Sequence, residues 1–175
     1  MRIEKKIYVY LASPYGFTDA GREFMNKVLI PNISNKEIKI LNPWDSFTSN
    51  LKQIEKISLI TNTHNLSRSL KSFNSEIAKI NEELIDKSQL VIAILDGSDV
   101  DSGVASEIGY AYANKKIIIG YRNDFRLSGD NFGATVNIQV EYFVKKSGGQ
   151  IVNNLSSLNK ILQKTIINLK NNIAN

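Results

Sequence analysis

Leu90–Leu95 reads L-V-I-A-I-L, and Asp96–Tyr112 continues as D-G-S-D-V-D-S-G-V-A-S-E-I-G-Y-A-Y. The first run is apolar at every position and has the length of one strand. A strand of that kind is buried on both faces, as in a parallel sheet. Three carboxylates then fall within six residues, Asp96, Asp99 and Asp101, spaced by Gly97 and Gly103. Val104, Ile108, Ala111 and Tyr112 recur at helical spacing, so the unit is strand, acidic turn, helix. Ligands of open α/β sheets sit beyond the carboxyl ends of the strands, where this turn falls. Glu107 lies six residues past Asp101 among small neighbours (Ala105, Ser106, Gly109), which leave room for a ligand beside it.

Toward the N-terminus, K-I-Y-V-Y-L-A (Lys6–Ala12) is a β-branched and aromatic strand ending in S-P-Y-G-F-T-D (Ser13–Asp19), a loop forced by Pro14 and Gly16. Thr18 or Asp19 can cap a helix from Ala20 to about Leu29, which Pro31 is expected to stop. Glu37–Leu41 is a second strand, followed by N-P-W-D (Asn42–Asp45). Trp44 suits either the core or the wall of a site for a flat ligand. From about Ser49 to Ser88 the pattern is helical, clearest at Phe73, Ile77, Ile80, Leu84 and Ile85. Asn81 interrupts it with a poor helix former; it suits either the solvent or a base edge read by hydrogen bonds.

Toward the C-terminus, Lys116–Tyr121 is another buried strand, and Arg122–Gly133 is a long polar loop of the kind that carries function or contacts a partner. Val136–Val144 fits strand or helix, with helix the expected state. Gln150–Val152 is a short last strand, and Asn154 caps a closing helix over about 155–172. Strands and helices alternate throughout. The expected fold is a flavodoxin-like, doubly wound, five-stranded parallel sheet with helices on both faces, one domain over residues 1–175.

Composition narrows the function. The 42% hydrophobic and 22% charged fractions are those of an ordinary globular chain, and no apolar run is long enough to span a membrane. The charged start, M-R-I-E-K-K-I-Y, does not read as a secretory signal, and a cytoplasmic location is expected. There is no cysteine for a disulfide or a thiolate site, and the single histidine, His64, precludes a multi-histidine metal centre. The net charge of +5 comes from scattered lysines without an interleaved aromatic stripe, so no nucleic-acid polymer is expected as partner.

A phosphoryl-accepting receiver needs an acidic pair after the first strand, where this chain has L-A-S-P-Y-G. A dinucleotide site needs G-x-G-x-x-G, which is missing there. Asp96, Asp99 and Asp101 could hold magnesium, but no phosphate-binding signature accompanies them. What remains is carboxylate chemistry at a glycosidic carbon, one carboxylate attacking and a second group handling the leaving group's proton.

Four stretches carry a resemblance to a known family. They are Y-L-A-S-P (Tyr10–Pro14) with F-T-D-A-G-R-E-F (Phe17–Phe24); N-P-W-D (Asn42–Asp45); D-x-G-x-x-x-E-x-G-Y-A (Asp101–Ala111); and R-L-S-G-D-N-x-G-x-x-V-N-x-Q-V-E-Y-F (Arg126–Phe143). Each is weak alone, but in this order and spacing, from Ile7 to about Val152, the chain resembles the nucleoside 2-deoxyribosyltransferases.

The resemblance implies that Glu107 is a nucleophile forming a covalent deoxyribosyl intermediate, that Tyr10 orients it, and that Asp101 holds the sugar hydroxyls. It implies that Asn137 reaches into the site of a neighbouring subunit in a homo-oligomer, a dimer or a dimer-based hexamer. Asn81 falls where some members carry an aspartate that assists the leaving base, and an amide cannot donate as an acid. Trp44, Asp45, Phe17 and Gly103 complete the expected binding site for nucleosides and free nucleobases. No cofactor is implied. Two rivals remain, an N-glycoside hydrolase of nucleosides or their 5′-monophosphates and a nucleotide-binding sensor without catalysis. A phosphate would call on Arg122, Arg126 and the amides of Ser13–Phe17.

Overall fold

A computed structural model of the chain describes residues 6–174, apart from the side chains of 47–49, 51, 52 and 172–174. The first five residues, on which the reading of the charged start rests, lie outside the described residues.

Five strands, β1 (Ile7–Ala12), β2 (Ile38–Leu41), β3 (Leu90–Ile94), β4 (Ile117–Tyr121) and β5 (Ile151–Val152), form one sheet in the order β2-β1-β3-β4-β5, with every pair parallel. This is the flavodoxin-like sheet that the alternation of elements predicts. The run Leu90–Leu95 is wholly buried, as its lack of alternation requires.

Side chains of each strand alternate between two cores. On one face Val9, Leu11, Ile92, Ile94 and Ile119 pack against Met25, Leu29 and Ile33 and against Leu158, Leu162 and Ile166 of α8 (Leu155–Ala174). On the other, Tyr10, Ala12, Val91, Ala93 and Ile118 meet Ile85 of α5 (Thr63–Lys87), Val104 and Ile108 of α6 (Ser102–Ala113), and Val140 and Val144 of α7 (Ile138–Lys146). Tyr10 therefore points to the α5–α6 side. That orientation decides the site.

The helical segment after β1 departs from expectation. Pro31 does not stop it. α1 (Asp19–Phe24), capped by Thr18, passes into a π-turn over Met25–Leu29 and then into α2 (Ile30–Ile33), which holds Pro31 in its first turn. The Ile30 N–H reaches back five residues to the Met25 carbonyl. The widened turn relieves the clash of a proline ring with the carbonyl four residues before it. Between β2 and β3 the helical stretch divides into α3 (Pro43–Ser49), α4 (Leu51–Ser58) and α5, and Asn62 caps α5 through the Asn65 N–H. Among the described residues no helix is long and apolar enough to cross a membrane.

From β1 the chain runs outward to β2 and then crosses back to β3 on the other side of β1. The ends of β1 and β3 thus border the switch point where loops diverge and leave a crevice. The loop after β1 supplies Ser13–Phe17, and the segment after β3 supplies Asp96–Glu107.

Candidate active site

A cavity of about 600 Å³ opens at that switch point. Its floor and one side come from α6, with Asp101, Gly103, Val104 and Glu107. α5 supplies Phe73, Asn74, Ile77, Ala78 and Asn81, and the rest comes from Ser13, Gly16, Phe17, Arg22, Pro43 and Trp44.

Tyr10, fully buried in β1, donates a 2.7 Å hydrogen bond from its hydroxyl to Glu107 Oε1. Burial raises the Glu107 carboxyl to about 7; the Tyr10 hydrogen bond pulls the other way, and the nearby Asp101 charge adds to the rise. The Tyr10 hydroxyl is itself pushed well up, first by burial and then by Glu107, so it stays protonated as a donor. Glu107 is the sixth residue of α6, beyond the first turn where a helix N-terminus favours an anion. Desolvation wins.

Asp101 is the N-cap of α6, its Oδ1 accepting from the Val104 N–H at 3.0 Å, and its carboxylate also borders the cavity. A cap and a cavity wall are compatible roles for one carboxylate. Before it, Gly97 adopts a φ of +125°, which L side chains rarely take, and turns the chain out of β3.

The 3₁₀ turn Pro14–Phe17 forms the opposite rim. Trp44 Nε1 donates to the Ser13 carbonyl at 2.9 Å, and the Phe17 ring meets the Trp44 indole edge-on at 4.7 Å. Gly16 lies so close that a Cβ there would sit 1.9 Å from the indole. Trp44 is thus a wall fixed from both sides. Arg22, itself on the cavity wall, holds the turn by donating to the Gly16 carbonyl at 2.6 Å and pairing with Asp19.

Of the residues singled out from sequence, Glu107, Asp101, Asn81, Trp44, Phe17 and Gly103 line this one cavity, with Tyr10 beneath it. Asp45 does not line it. Its exposed carboxylate accepts from Asn42 Nδ2 at 3.0 Å, and Asn42 Oδ1 accepts from the Trp44 N–H at 3.3 Å. Asn137 is also away from it, serving as N-cap of its own α7. The arginines expected for a phosphate are elsewhere. Arg122 is buried against the carbonyls of Leu95, Gly97 and Arg126, and Arg126 pairs with Asp124.

The three aspartates of the acidic turn do not converge. Asp96 accepts from the Tyr15 hydroxyl and from the Asn123 and Asp124 N–H groups, and Asp99 from the Val100 N–H. Among the described residues no three His, Cys, Asp or Glu side chains gather where they could hold a metal ion. Arg22 and Asn74 were missed in the sequence. Asn74 had a signal, since it stands seven residues before Asn81 on the same helical face.

A parallel α/β sheet with a half-buried, tyrosine-held glutamate at its switch point defines a site suited to nucleophilic carboxylate chemistry. The chain belongs to the nucleoside 2-deoxyribosyltransferase family, whose model matches residues 9–139, a family acting on N-glycosidic bonds. No protein with a curated description matches the sequence.

Solved structures share the fold. A conserved protein from Enterococcus faecalis V583 is 24% identical, with 91% of this chain and 99% of that one covered at a TM-score of 0.68. A 2-deoxyribosyltransferase from Bacillus psychrosaccharolyticus is 15% identical, covering 87% and 90% at 0.57. A CMP N-glycosidase from Clostridium botulinum is 18% identical, covering 91% and 98% at 0.52.

Proposed function

We propose that the protein transfers the 2-deoxyribosyl group between nucleobases by double displacement, as a cytoplasmic enzyme of nucleoside salvage. The observation that carries this reading is the Tyr10–Glu107 hydrogen bond at the base of a cavity walled by aromatic and amide side chains. A glutamate Oε of Glu107 attacks C1′ of the bound nucleoside, the C1′–N bond breaks, and its electron pair leaves with the base. The product is a deoxyribosyl ester of Glu107. A second base then attacks C1′ and frees the carboxylate, so two inversions retain configuration. Tyr10 holds one oxygen so that the other is aimed. Asp101 takes the sugar hydroxyls, Trp44 and Phe17 flank the base, and Gly103 keeps space beside Asp101.

Two carboxylates border the cavity against one guanidinium, Arg22, which is already engaged by Asp19 and the Gly16 carbonyl. That balance favours neutral nucleosides over their 5′-monophosphates. We further propose a homo-oligomer in which Asn137 enters a neighbour's site. Its Oδ1 accepts from the Gln139 and Val140 N–H groups, which leaves the amide nitrogen to donate outward. Exposed Phe125, Leu127, Phe132, Ile138 and Tyr142, on the same stretch of chain, supply apolar surface for such a contact.

The test is chromatography of 2′-deoxyuridine with free hypoxanthine in the presence of the protein or of Glu107→Ala. New 2′-deoxyinosine that vanishes in the variant supports transfer. Free uracil and free deoxyribose without a new nucleoside would make the protein a hydrolase, and ligand-raised melting without turnover would make it a sensor.

A further inference from the structure

Breaking the C1′–N bond leaves an electron pair on the base, and a proton must arrive there or the base departs as an anion. The carboxyl groups lining the cavity are Asp101 and Glu107, both on α6. Glu107 is consumed as the nucleophile. Asp101 is the N-cap of the same helix, its Oδ1 held by the Val104 N–H. In-line displacement puts the leaving base on the far side of C1′, toward α5 and the Phe17–Trp44 wall.

α5 offers no acid there. Phe73, Asn74, Ile77, Ala78 and Asn81 form one face by their spacing. The acidic residues of α5 point elsewhere. Glu76 accepts from Gln53, Glu82 and Asp86 from the Tyr110 hydroxyl, and Glu83 pairs with Lys79. Each lies about 100° or more around the helix from Asn81.

α5 and α6 each run opposite to the strands, so they are parallel to one another. The bonds from Tyr110 to Glu82 and Asp86 fix their relative height and bring Glu107, one turn before Tyr110, level with the Asn81 region. Asn74 stands two turns nearer the rim. The polar group that α5 presents nearest the nucleophile is therefore the amide of Asn81.

Resting on the transfer reading above, we infer that the base leaves without being protonated, its nitrogen anion received by the side-chain N–H of Asn81, so that the protein selects bases by the acidity of their ring N–H. An amide donor stabilises developing negative charge without giving up its proton. The rise of Glu107 to about 7 fits, because a nucleophile ionised only near neutrality and above works where prior protonation of the base is scarce. By microscopic reversibility the acceptor enters as its anion. Uracil-type and 6-oxopurine bases are then good partners, and cytosine, whose ring N–H is far less acidic, is a poor one. Asn81 is thereby a specificity-determining residue.

The experiment is single-turnover release of base from 2′-deoxyuridines carrying methyl, hydrogen, bromine or fluorine at C5, with protein in excess. The rate is expected to climb roughly five- to tenfold per unit of base acidity, as Brønsted behaviour without a general acid requires. Asn81→Ala should slow every member by about 100-fold with the slope kept. Asn81→Asp, isosteric and on a partly exposed helix position, should flatten the slope by adding an acid. Equal rates along the series, with release still abolished by Glu107→Ala, would overturn the inference and leave the transfer reading standing. No release from any member would remove both.

Discussion

Tyr10 on β1 and Glu107 on α6 stand 97 residues apart in sequence and are joined by a 2.7 Å hydrogen bond. The pleat of β1 aims Tyr10 at the α5–α6 side of the sheet, and the turn after β3 brings Glu107 down onto it. Tyr10→Phe keeps the buried ring and removes the donor. Turnover should fall about 100-fold with little change in KM, since the lost bond orients the nucleophile and does not bind substrate. The same variant should move the acidic limb of the pH–rate profile upward, because the hydrogen bond lowers the Glu107 value.

Activity should rise with pH through about 7 as Glu107 ionises in the free protein. Stability runs the other way. The folded value lies above the 4.5 of a free glutamate, so the folded state keeps the proton longer. The associated stability is fully present below about 4.5 and is lost as pH rises through about 7. At higher pH an ionised Glu107 costs the fold up to ~3 kcal/mol. Urea unfolding of Glu107→Gln should therefore show a gain over the native protein at pH 8 that shrinks toward pH 4.5. An equal difference at both pH values would contradict this assignment.

Trp44 is the single tryptophan of the chain, so its fluorescence reports on the cavity wall. Gly16→Ala places a methyl within 1.9 Å of the indole, and the indole has to move. An altered emission maximum and a KM at least tenfold higher are expected, together with a lower denaturation midpoint, because Gly16 is buried and overpacking of that kind costs about 1–3 kcal/mol. An unaltered KM would show that the indole does not border the bound base.

Arg122 places a buried guanidinium on the carbonyls of Leu95, Gly97 and Arg126, tying the acidic turn to the long loop after β4. Arg122→Met leaves those carbonyls without their donor. Hydrogen bonds to a charged group contribute about 1.5–3 kcal/mol each, and urea unfolding should register a loss of at least that size. Asp96 makes a parallel tie from Tyr15 to the Asn123 and Asp124 N–H groups. Asp96→Ala should raise KM through the loosened Ser13–Phe17 turn more than it lowers kcat.

Much of this was legible in the sequence because it is periodic or local. The unbroken apolar run of β3, the alternation of β1 and the helical recurrence in α5 specify the sheet and its covering layers. The Asp101–Ala111 spacing puts a cap and the cavity-lining Glu107, the proposed nucleophile, on one helix. Pro31 misled because a π-turn, which leaves no compositional mark, absorbs it. Arg122 and Arg126 misled because charge in a polar loop says nothing of its partners, and here backbone carbonyls and Asp124 take them. Asp45 belongs to the right tetrapeptide but faces Asn42. The weakened acidity of Glu107 follows from desolvation in the folded chain, which helix position alone does not reveal.

The most direct test is to trap the intermediate. The protein would be incubated with a 2-deoxy-2-fluoroarabinosyl nucleoside, whose electron-withdrawing fluorine slows turnover, without an acceptor base, and then digested for mass spectrometry. The account predicts one equivalent of released base and a mass gain of one fluorinated sugar on the peptide containing Glu107, absent in Glu107→Ala. Full release of base with no adduct on that peptide, or an adduct on another residue, would contradict it.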